Sequence, residues 1–314
     1  MSLPRRTSRR LVWTALTLPA LLCLLAACSG GPASDRGADA AAPGASPTPS
    51  GPPGTLFDGF QYSGPDDPSL TANGWEVRNG AGSPGIKDTW SGAGVGFPAD
   101  TTAQGGRVLQ LQASTDGTKQ GTRQVEVQST GTDLFTGTYA ARVYFSAKPT
   151  SGRNGDHVVQ TFFPISSSES SANYSELDHE YLPNGGWGSV GSQLDNVSWY
   201  QADPPDRVSH TLKRHLDGWH IMMITAVNGK VTYSLDGKEL FTSSGKYVPR
   251  EKMDIHFSNW FIDLPFTGGP RTWDMKVNWF YYKAGEAVSQ SEVQKTVDGF
   301  YSSGTNYINT VPKS

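Results

Sequence analysis

The chain has 314 residues, of which 36% are hydrophobic and 18% charged, a length that suits one large folded domain or two small ones. Its net charge of −3 at pH 7 provides no basic footprint, so nucleic acid is excluded as an expected partner. The two cysteines, Cys23 and Cys28, both lie near the amino terminus. The rest of the chain therefore has no disulfide and must be stabilised by a buried core.

The first 28 residues have the pattern of an export signal. Four arginines precede an apolar run from Leu11 to Ala27, which ends in small residues before Cys28. The sequence Leu25-Ala26-Ala27-Cys28 resembles the bacterial lipobox, in which the cysteine becomes the lipid-bearing first residue of the mature protein. We therefore expect an extracytoplasmic lipoprotein that is anchored to the cell membrane through Cys28. An ordinary signal with an incidental cysteine remains the alternative, and the twin-arginine export route is left open.

Three further regions follow the signal. Residues 29–55 are mostly Ala, Gly, Pro, Ser and Asp, which predicts a disordered tether. The folded domain is expected over residues 56–284, with a C-terminal extension over residues 285–314. Within that extension, Ser289 and Glu292 have the spacing of a capping box and predict a short helix to about Tyr301. The extension either packs against the domain or continues as a surface tail.

Short alternating runs between Gly, Pro and Asp turns indicate β-strands throughout the domain. Before residue 170 the predicted strands are Leu56–Phe60, Gly74–Arg78, Arg107–Ala113, Arg123–Val127, Gly137–Phe145 and His157–Phe163. Few long helical patterns accompany them, and glycine is abundant, with 36 residues. Composition and pattern together predict an all-β sandwich or barrel.

The next run contains three acidic residues at strict alternation, Glu176, Asp178 and Glu180. On a β-strand these three side chains share one face, while His179 lies on the other. Three like charges on one face repel each other, which a sequence selected for folding alone would avoid. The arrangement therefore indicates a functional use for this strand.

The spacing of the two glutamates suggests what that use is. Residues four apart on a strand are separated by roughly 13 Å between Cα atoms. If Glu176 and Glu180 lean toward each other, their carboxyl groups approach the spacing of about 5–5.5 Å found in retaining glycosidases. Asp178 between them would help to separate their protonation states. A solvated acidic face or a cation site is the alternative, and these residues alone do not decide between the two.

Four segments, in this order and spacing, resemble glycoside hydrolase family 16 over residues 57–283. They are Gly137–Val143, Glu176–Glu180, the stretch from His220 to Lys238 that contains Asp236-Gly237, and Met275–Tyr282. The resemblance implies a concanavalin-like β-jelly roll. The predicted fold class is therefore an all-β jelly-roll sandwich with a short C-terminal helix or tail.

The resemblance also implies roles for the acidic residues. Glu176 would be the nucleophile, Glu180 the general acid and base, and Asp178 the assisting carboxylate. Because one residue separates Asp178 from Glu180, the strand resembles the regular form of the family motif, which is commoner in enzymes acting on mixed-linkage glucan, xyloglucan or galactans than in laminarinases. A polysaccharide substrate, no cofactor, no metal at the site and a monomeric protein are expected, with a structural calcium ion left open.

Aromatic residues after the acidic strand are candidates for sugar binding, because flat rings pack against the C–H groups of a pyranose. Trp187, Trp199 and Trp260 lie in or beside Gly/Asn/Pro-rich stretches and are predicted to line the cleft. The alternative is that they fill the core of the sandwich. Arg142 has the opposite alternation parity to Tyr139, which suggests a cleft-facing contact to substrate or to the acids, or otherwise a surface charge.

His179 departs from the family pattern, which usually has an aliphatic or aromatic residue at this position. We expect a buried neutral histidine with a polar partner, and the alternatives are that it tunes the acids or marks a drifted site. The leading hypothesis is a retaining, endo-acting glycoside hydrolase. A carbohydrate-binding lipoprotein without catalysis is the second hypothesis. A polysaccharide lyase is the third, although it would need a Tyr or His base instead of an acidic motif.

Overall fold

The computed structural model describes residues 51–131 and 133–312. The predicted signal peptide, Cys28 and residues 29–50 of the predicted tether lie outside the described residues. The described residues belong to one compact unit. None of the described helices combines the length and apolar character that crossing a membrane requires.

The described residues form eighteen strands and two α-helices, with short 3-10 turns between some of them. In chain order the elements are β1 Thr55–Asp58, α1 Pro68–Ala72, β2 Trp75–Val77, β3 Val95–Gly96, β4 Leu109–Thr115, β5 Val125–Ser129, β6 Gly137–Phe145, β7 Val158–Ser166, β8 Glu176–Leu182, β9 Gly185–Gly186, β10 Ser189–Val190, β11 Gln193–Gln201, β12 Asp206–Lys213, β13 Gly218–Val227, β14 Lys230–Leu235, β15 Lys238–Ser244, β16 Met253–Phe261, β17 Arg271–Ala284, α2 Gln290–Ser302 and β18 Tyr307–Asn309.

Two large antiparallel sheets make up the fold. A seven-stranded sheet has the order β12-β11-β8-β7-β16-β5-β2, and a nine-stranded sheet has the order β15-β14-β13-β6-β17-β1-β18, with β4 on β17 and β3 on β4. Alternate residues of both sheets bury their side chains between them, as shown by Phe162, Phe257 and Phe280, whose ring centroids lie 5.3–6.1 Å apart. The predicted all-β sandwich with a short C-terminal helix is confirmed.

The acidic strand β8 lies inside the seven-stranded sheet, between β11 and β7. Its register with β11 is continuous from Glu176 to Leu182, so it has the regular form without a bulge. Leu177 and Tyr181 belong to the core between the sheets. The acidic side chains consequently point to the outer face of this sheet.

The C-terminal segment is part of the domain. Helix α2 begins after Ser289, whose side chain forms a reciprocal capping box with Glu292, as predicted. Its buried side chains pack on the outer face of the nine-stranded sheet, against Phe57 among others. Strand β18 then pairs with β1. Of the two alternatives for the extension, the structure shows packing against the domain, and β1 begins at Thr55, the last residue of the predicted tether. Strands of three or four residues leave no alternation to detect in the sequence.

Candidate active site

A groove crosses the outer face of the seven-stranded sheet. It consists of two adjoining cavities of about 600 and 720 Å³ that share Pro84, Phe163, Glu176 and Trp199. Asp178 and Glu180 line the first cavity only. Because β8 lies near the middle of the sheet, its acidic face forms part of the groove and open space extends to both sides of Glu176.

The three predicted acidic residues meet in this groove, and neighbouring side chains hold two of them. The hydroxyl of Tyr174 donates a hydrogen bond to Oε2 of Glu176. The indole Nε1–H of Trp199 donates to Oδ2 of Asp178 over 2.8 Å. Asp178 is buried, with 4% of its surface exposed, whereas Glu176 and Glu180 are partly open to the groove. The two glutamates are therefore accessible, and the aspartate between them is fixed.

Burial raises the pKa of each of the three carboxyl groups, because a low-dielectric environment disfavours the charged form. For Asp178 the negative charges of Glu176 and Glu180 raise the pKa further. The pKa of Glu180 rises to about 8 through burial and the charges of Glu176 and Asp195, with Arg207 opposing. Glu180 therefore carries a proton at neutral pH and can act as an acid.

Glu176 has partners that favour its charged form. Burial raises its pKa, but the hydrogen bonds from Tyr174 and from Asp178 act in the opposite direction. Hydrogen-bond donors that point at a carboxylate stabilise the anion. Two carboxyl groups with different environments thus share the groove. Glu176 accepts hydrogen bonds, and Glu180 has a pKa of about 8.

All three predicted tryptophans line the groove. Trp187 lies in the turn between β9 and β10 and is 57% exposed, and its ring centroid is 5.9 Å from that of Trp260. Together the two rings form an aromatic surface on one side of the acids. Trp199 lies on strand β11 and Trp260 on strand β16.

Of the two alternatives for Arg142, the cleft-facing contact is wrong. Its parity relative to Tyr139 is as expected, but β6 belongs to the nine-stranded sheet, so the outward face of this strand lies on the side opposite the groove. There the guanidinium stacks over Trp219 at 4.4 Å and donates to Oδ1 of Asn278 at 2.7 Å. Alternation within one strand does not reveal which sheet the strand joins, and this is the reason for the error.

His179 is the buried histidine that the sequence analysis expects. Its Nε2 lies 3.1 Å from the carbonyl oxygen of Met223, and its ring contacts Phe162 and Tyr233 in the core. Burial lowers its pKa to about 4, so the ring is neutral at neutral pH. It lies on the opposite face of β8 from the groove and makes no contact with the acids.

Several groove residues have no recognisable motif in the sequence. Asp195 on β11 lies directly opposite Glu180 on β8 and lines the same cavity. The parity of Asp195 equals that of Trp199, and recognising β11 as a strand would have revealed it. In the second cavity, the buried carboxylate of Glu126 pairs with Arg78, with 3.1 Å between Oε1 and Nη1.

Metal binding at the groove is not indicated by the side chains present. Within residues 51–131 and 133–312, no group of three or more His, Cys, Asp or Glu side chains is arranged to hold a metal ion. The carboxyl groups of Glu176 and Asp178 are instead engaged with hydrogen-bond donors and with each other. The arrangement is suited to proton transfer between carboxyl groups and a bound substrate.

No protein-family model and no curated protein sequence matches the chain. Solved structures match it in fold. The β-glucanase of Bacillus licheniformis is 14% identical with a TM-score of 0.53, and the match covers 73% of this chain and 98% of the glucanase. The Bacteroides ovatus mixed linkage glucan GH16 protein, in complex with a G4G4G3G product, is 14% identical with a TM-score of 0.55, covering 71% and 98%.

A laminarinase of Flavobacterium is 12% identical with a TM-score of 0.52, and the match covers 72% of this chain and 98% of the laminarinase. These similarities show the concanavalin-like jelly-roll fold that the resemblance to glycoside hydrolase family 16 predicts. Sequence identities of 12–14% show a shared fold and not a shared reaction.

Proposed function

We propose that the protein is a retaining, endo-acting glycoside hydrolase that cleaves a β-linked polysaccharide of the β-glucan or galactan type. One observation carries the proposal: Glu176, Asp178 and Glu180 share one strand face in an open groove, where burial and neighbouring negative charges raise the pKa of Glu180 to about 8. A groove that extends to both sides of the acids suits attack within a polysaccharide chain, since neither end of the chain has to be enclosed.

The reaction follows from the two carboxyl environments. The carboxylate of Glu176 attacks the anomeric carbon while Glu180 gives its proton to the leaving glycosidic oxygen, so that one carbon–oxygen bond forms as another breaks. The product of this step is a glycosyl ester on Glu176. Glu180, now a carboxylate, takes a proton from water, whose oxygen attacks the ester and regenerates both residues. Asp178, held by Trp199, hydrogen-bonds Glu176 throughout.

The aromatic surface supports a polysaccharide substrate. Trp187 and Trp260 present rings beside the acids, and an exposed indole in a groove packs well against the apolar face of a sugar ring. The solved structures of similar fold are named as glucanases and a laminarinase, which agrees with a β-glucan-like substrate class. The regular form of β8 adds galactans and xyloglucan to the candidates.

The lipid anchor is a proposal from the sequence. Leu25-Ala26-Ala27-Cys28 resembles a lipobox, and residues 29–50 would separate the domain from the membrane surface. Anchoring through Cys28 would place the groove in the extracytoplasmic space, where polysaccharides are available. Labelling of the cells with a fatty-acid analogue, compared between wild type and Cys28→Ala, tests the anchor, and equal labelling would contradict it.

A carbohydrate-binding lipoprotein without catalysis is the second candidate. The observation that favours it is Trp187, which is 57% exposed and would bind a glycan whether or not the acids react. The fold supports either function.

One experiment separates the candidates. The purified protein is incubated with β-glucans, xyloglucan, agar and carrageenan. The masses of the products are measured by mass spectrometry, and the anomeric configuration of the product that forms first is determined by NMR. Hydrolysed oligosaccharides with retained β-configuration are expected. Glycan pull-down with unchanged chain length would support the binding protein instead, and unsaturated products that absorb ultraviolet light would indicate a lyase.

A further inference from the structure

A fourth carboxylate faces the proposed acid from the neighbouring strand. Asp195 on β11 is the register partner of Glu180 on β8, and both side chains line the same cavity. Directly opposite residues of an antiparallel pair have Cβ atoms about 4.5–5.5 Å apart. We propose that Asp195 is a positioning residue that keeps Glu180 in its proton-bearing form at neutral pH. This inference rests on the proposed function and names a residue that the acidic motif does not contain.

Two hydrogen-bond donors hold the Asp195 carboxyl group in place. It is 9% exposed, its Oδ2 accepts a hydrogen bond of 2.7 Å from Nε2 of Gln193, and its Oδ1 accepts one from the hydroxyl of Thr211. The two bonds fix the orientation of this carboxyl group on the strand next to Glu180.

The side-chain amide of Gln193 is itself held in one orientation. The Oε1 of Gln193 accepts hydrogen bonds from Nζ of Lys213 and from the hydroxyl of Ser189. An ammonium group can only donate, so the amide must turn its oxygen toward Lys213 and its NH₂ group toward Asp195. A chain of contacts from Lys213 through Gln193 thus fixes the carboxylate that faces Glu180.

The remaining groups around Glu180 do not replace this function. Glu176 and Asp178 lie on its own strand, and Glu176 loses its charge when it becomes esterified in the proposed reaction. Arg207 on β12 stacks over Trp199 at 4.5 Å and favours ionised Glu180. Thr161, the register partner on β7, carries no charge. Asp195 is therefore the carboxyl group that faces Glu180 from a neighbouring strand, and its effect on the pKa of Glu180 is opposite to that of Arg207.

The test substitutes Asp195→Asn, which preserves the size of the side chain and removes its charge. The control is Asp274→Asn on β17 of the other sheet, where the carboxylate accepts hydrogen bonds from Gln110 and Gln112 at 2.8–2.9 Å. Two quantities are measured in the full chain: the basic limb of the kcat/KM profile, and the titration of the Glu180 carboxyl carbon by ¹³C NMR. Asp195→Asn should move both to lower pH by about one unit, since a like charge is removed.

Asp195→Glu keeps the charge and should have the basic limb of the wild type. If Asp195 had a purely structural role, Asp195→Asn would leave the basic limb in place and change only the rate. An unshifted Glu180 titration in Asp195→Asn, equal to that of Asp274→Asn, would overturn the inference. If Asn at this position prevents folding, Asp195→Ser provides the same loss of charge. The NMR titration does not need turnover, so an inactive wild type would contradict the proposed function while still testing the coupling.

Discussion

The indole N–H of Trp199 donates a 2.8 Å hydrogen bond to Asp178, and this bond ties the middle of the acidic strand to strand β11. Asp178 has carboxylates on both sides along its own strand, and their charges together with burial raise its pKa. The indole is the donor that opposes this shift. The bond therefore helps to orient the residue that hydrogen-bonds the proposed nucleophile, Glu176.

Trp199→Phe should lower kcat/KM about 2- to 13-fold, because a hydrogen bond between neutral groups contributes about 0.5–1.5 kcal/mol. The ring volume is largely retained, so the melting temperature should change little. A matched control is Trp219→Phe, since the Trp219 indole donates at 2.9 Å to Thr102 on the opposite side of the sandwich. Equal steady-state kinetics for the two variants would contradict a function for the Asp178 contact.

The pH dependence of the activity follows from Glu180. Its pKa of about 8 means that the proton needed for the leaving group is lost as the pH rises through this value. We expect kcat/KM to fall tenfold per pH unit on the alkaline side. On the acid side it should fall as Glu176 becomes protonated and can no longer attack. A flat profile between pH 6 and pH 10 on a soluble substrate would contradict the assignment of Glu180.

The site should also reduce the stability of the fold. Folding raises the pKa of Glu180 from its ordinary value of 4.5 to about 8. The contribution of the protonated side chain to the free energy of unfolding is therefore complete below pH 4.5 and is lost as the pH rises through about 8. Glu180→Gln should thus be more stable than wild type at pH 9 by at most about 5 kcal/mol, because each unit between the two pKa values contributes about 1.4 kcal/mol, and equal to it near pH 4. Urea unfolding at the two pH values measures the difference, and Glu239→Gln, an exposed residue on β15, should show none.

Trp187 is proposed to bind substrate without supporting the fold. Trp187→Ala should raise KM about tenfold, which corresponds to about 1.4 kcal/mol of lost ring contact, and leave the melting temperature unchanged. Phe135→Ala is a suitable control, because Phe135 is another exposed large apolar residue, at 38%, and does not line the groove. An unaltered KM in Trp187→Ala would show that the sugar chain takes another path.

The features predictable from sequence are those that local chemistry determines. Strict alternation predicts that Glu176, Asp178 and Glu180 share a face, because side-chain direction on a strand has a period of two. The capping box predicts the start of α2 at Ser289, because both partners lie within one helical turn.

The features that were missed depend on contacts between distant segments. The short strand β18 is recognisable only through its pairing with β1, and the position of Arg142 depends on which sheet β6 joins. Asp195 has no motif of its own, and its importance arises from its register with Glu180 across two strands. Pairing partners at such separations are set by the packing of the whole sandwich, which no local pattern encodes.

The most direct test of the central claim compares wild type with Glu176→Gln and Glu180→Gln, using Glu239→Gln as the control on the other sheet. Release of reducing ends is measured on whichever polysaccharide of the panel the wild type degrades, with circular dichroism to confirm folding. We predict that each of the two groove variants is folded and loses activity at least about 1,000-fold, while Glu239→Gln is unaffected. Full activity in folded Glu176→Gln or Glu180→Gln would contradict the assignment of this carboxylate pair as the catalytic residues.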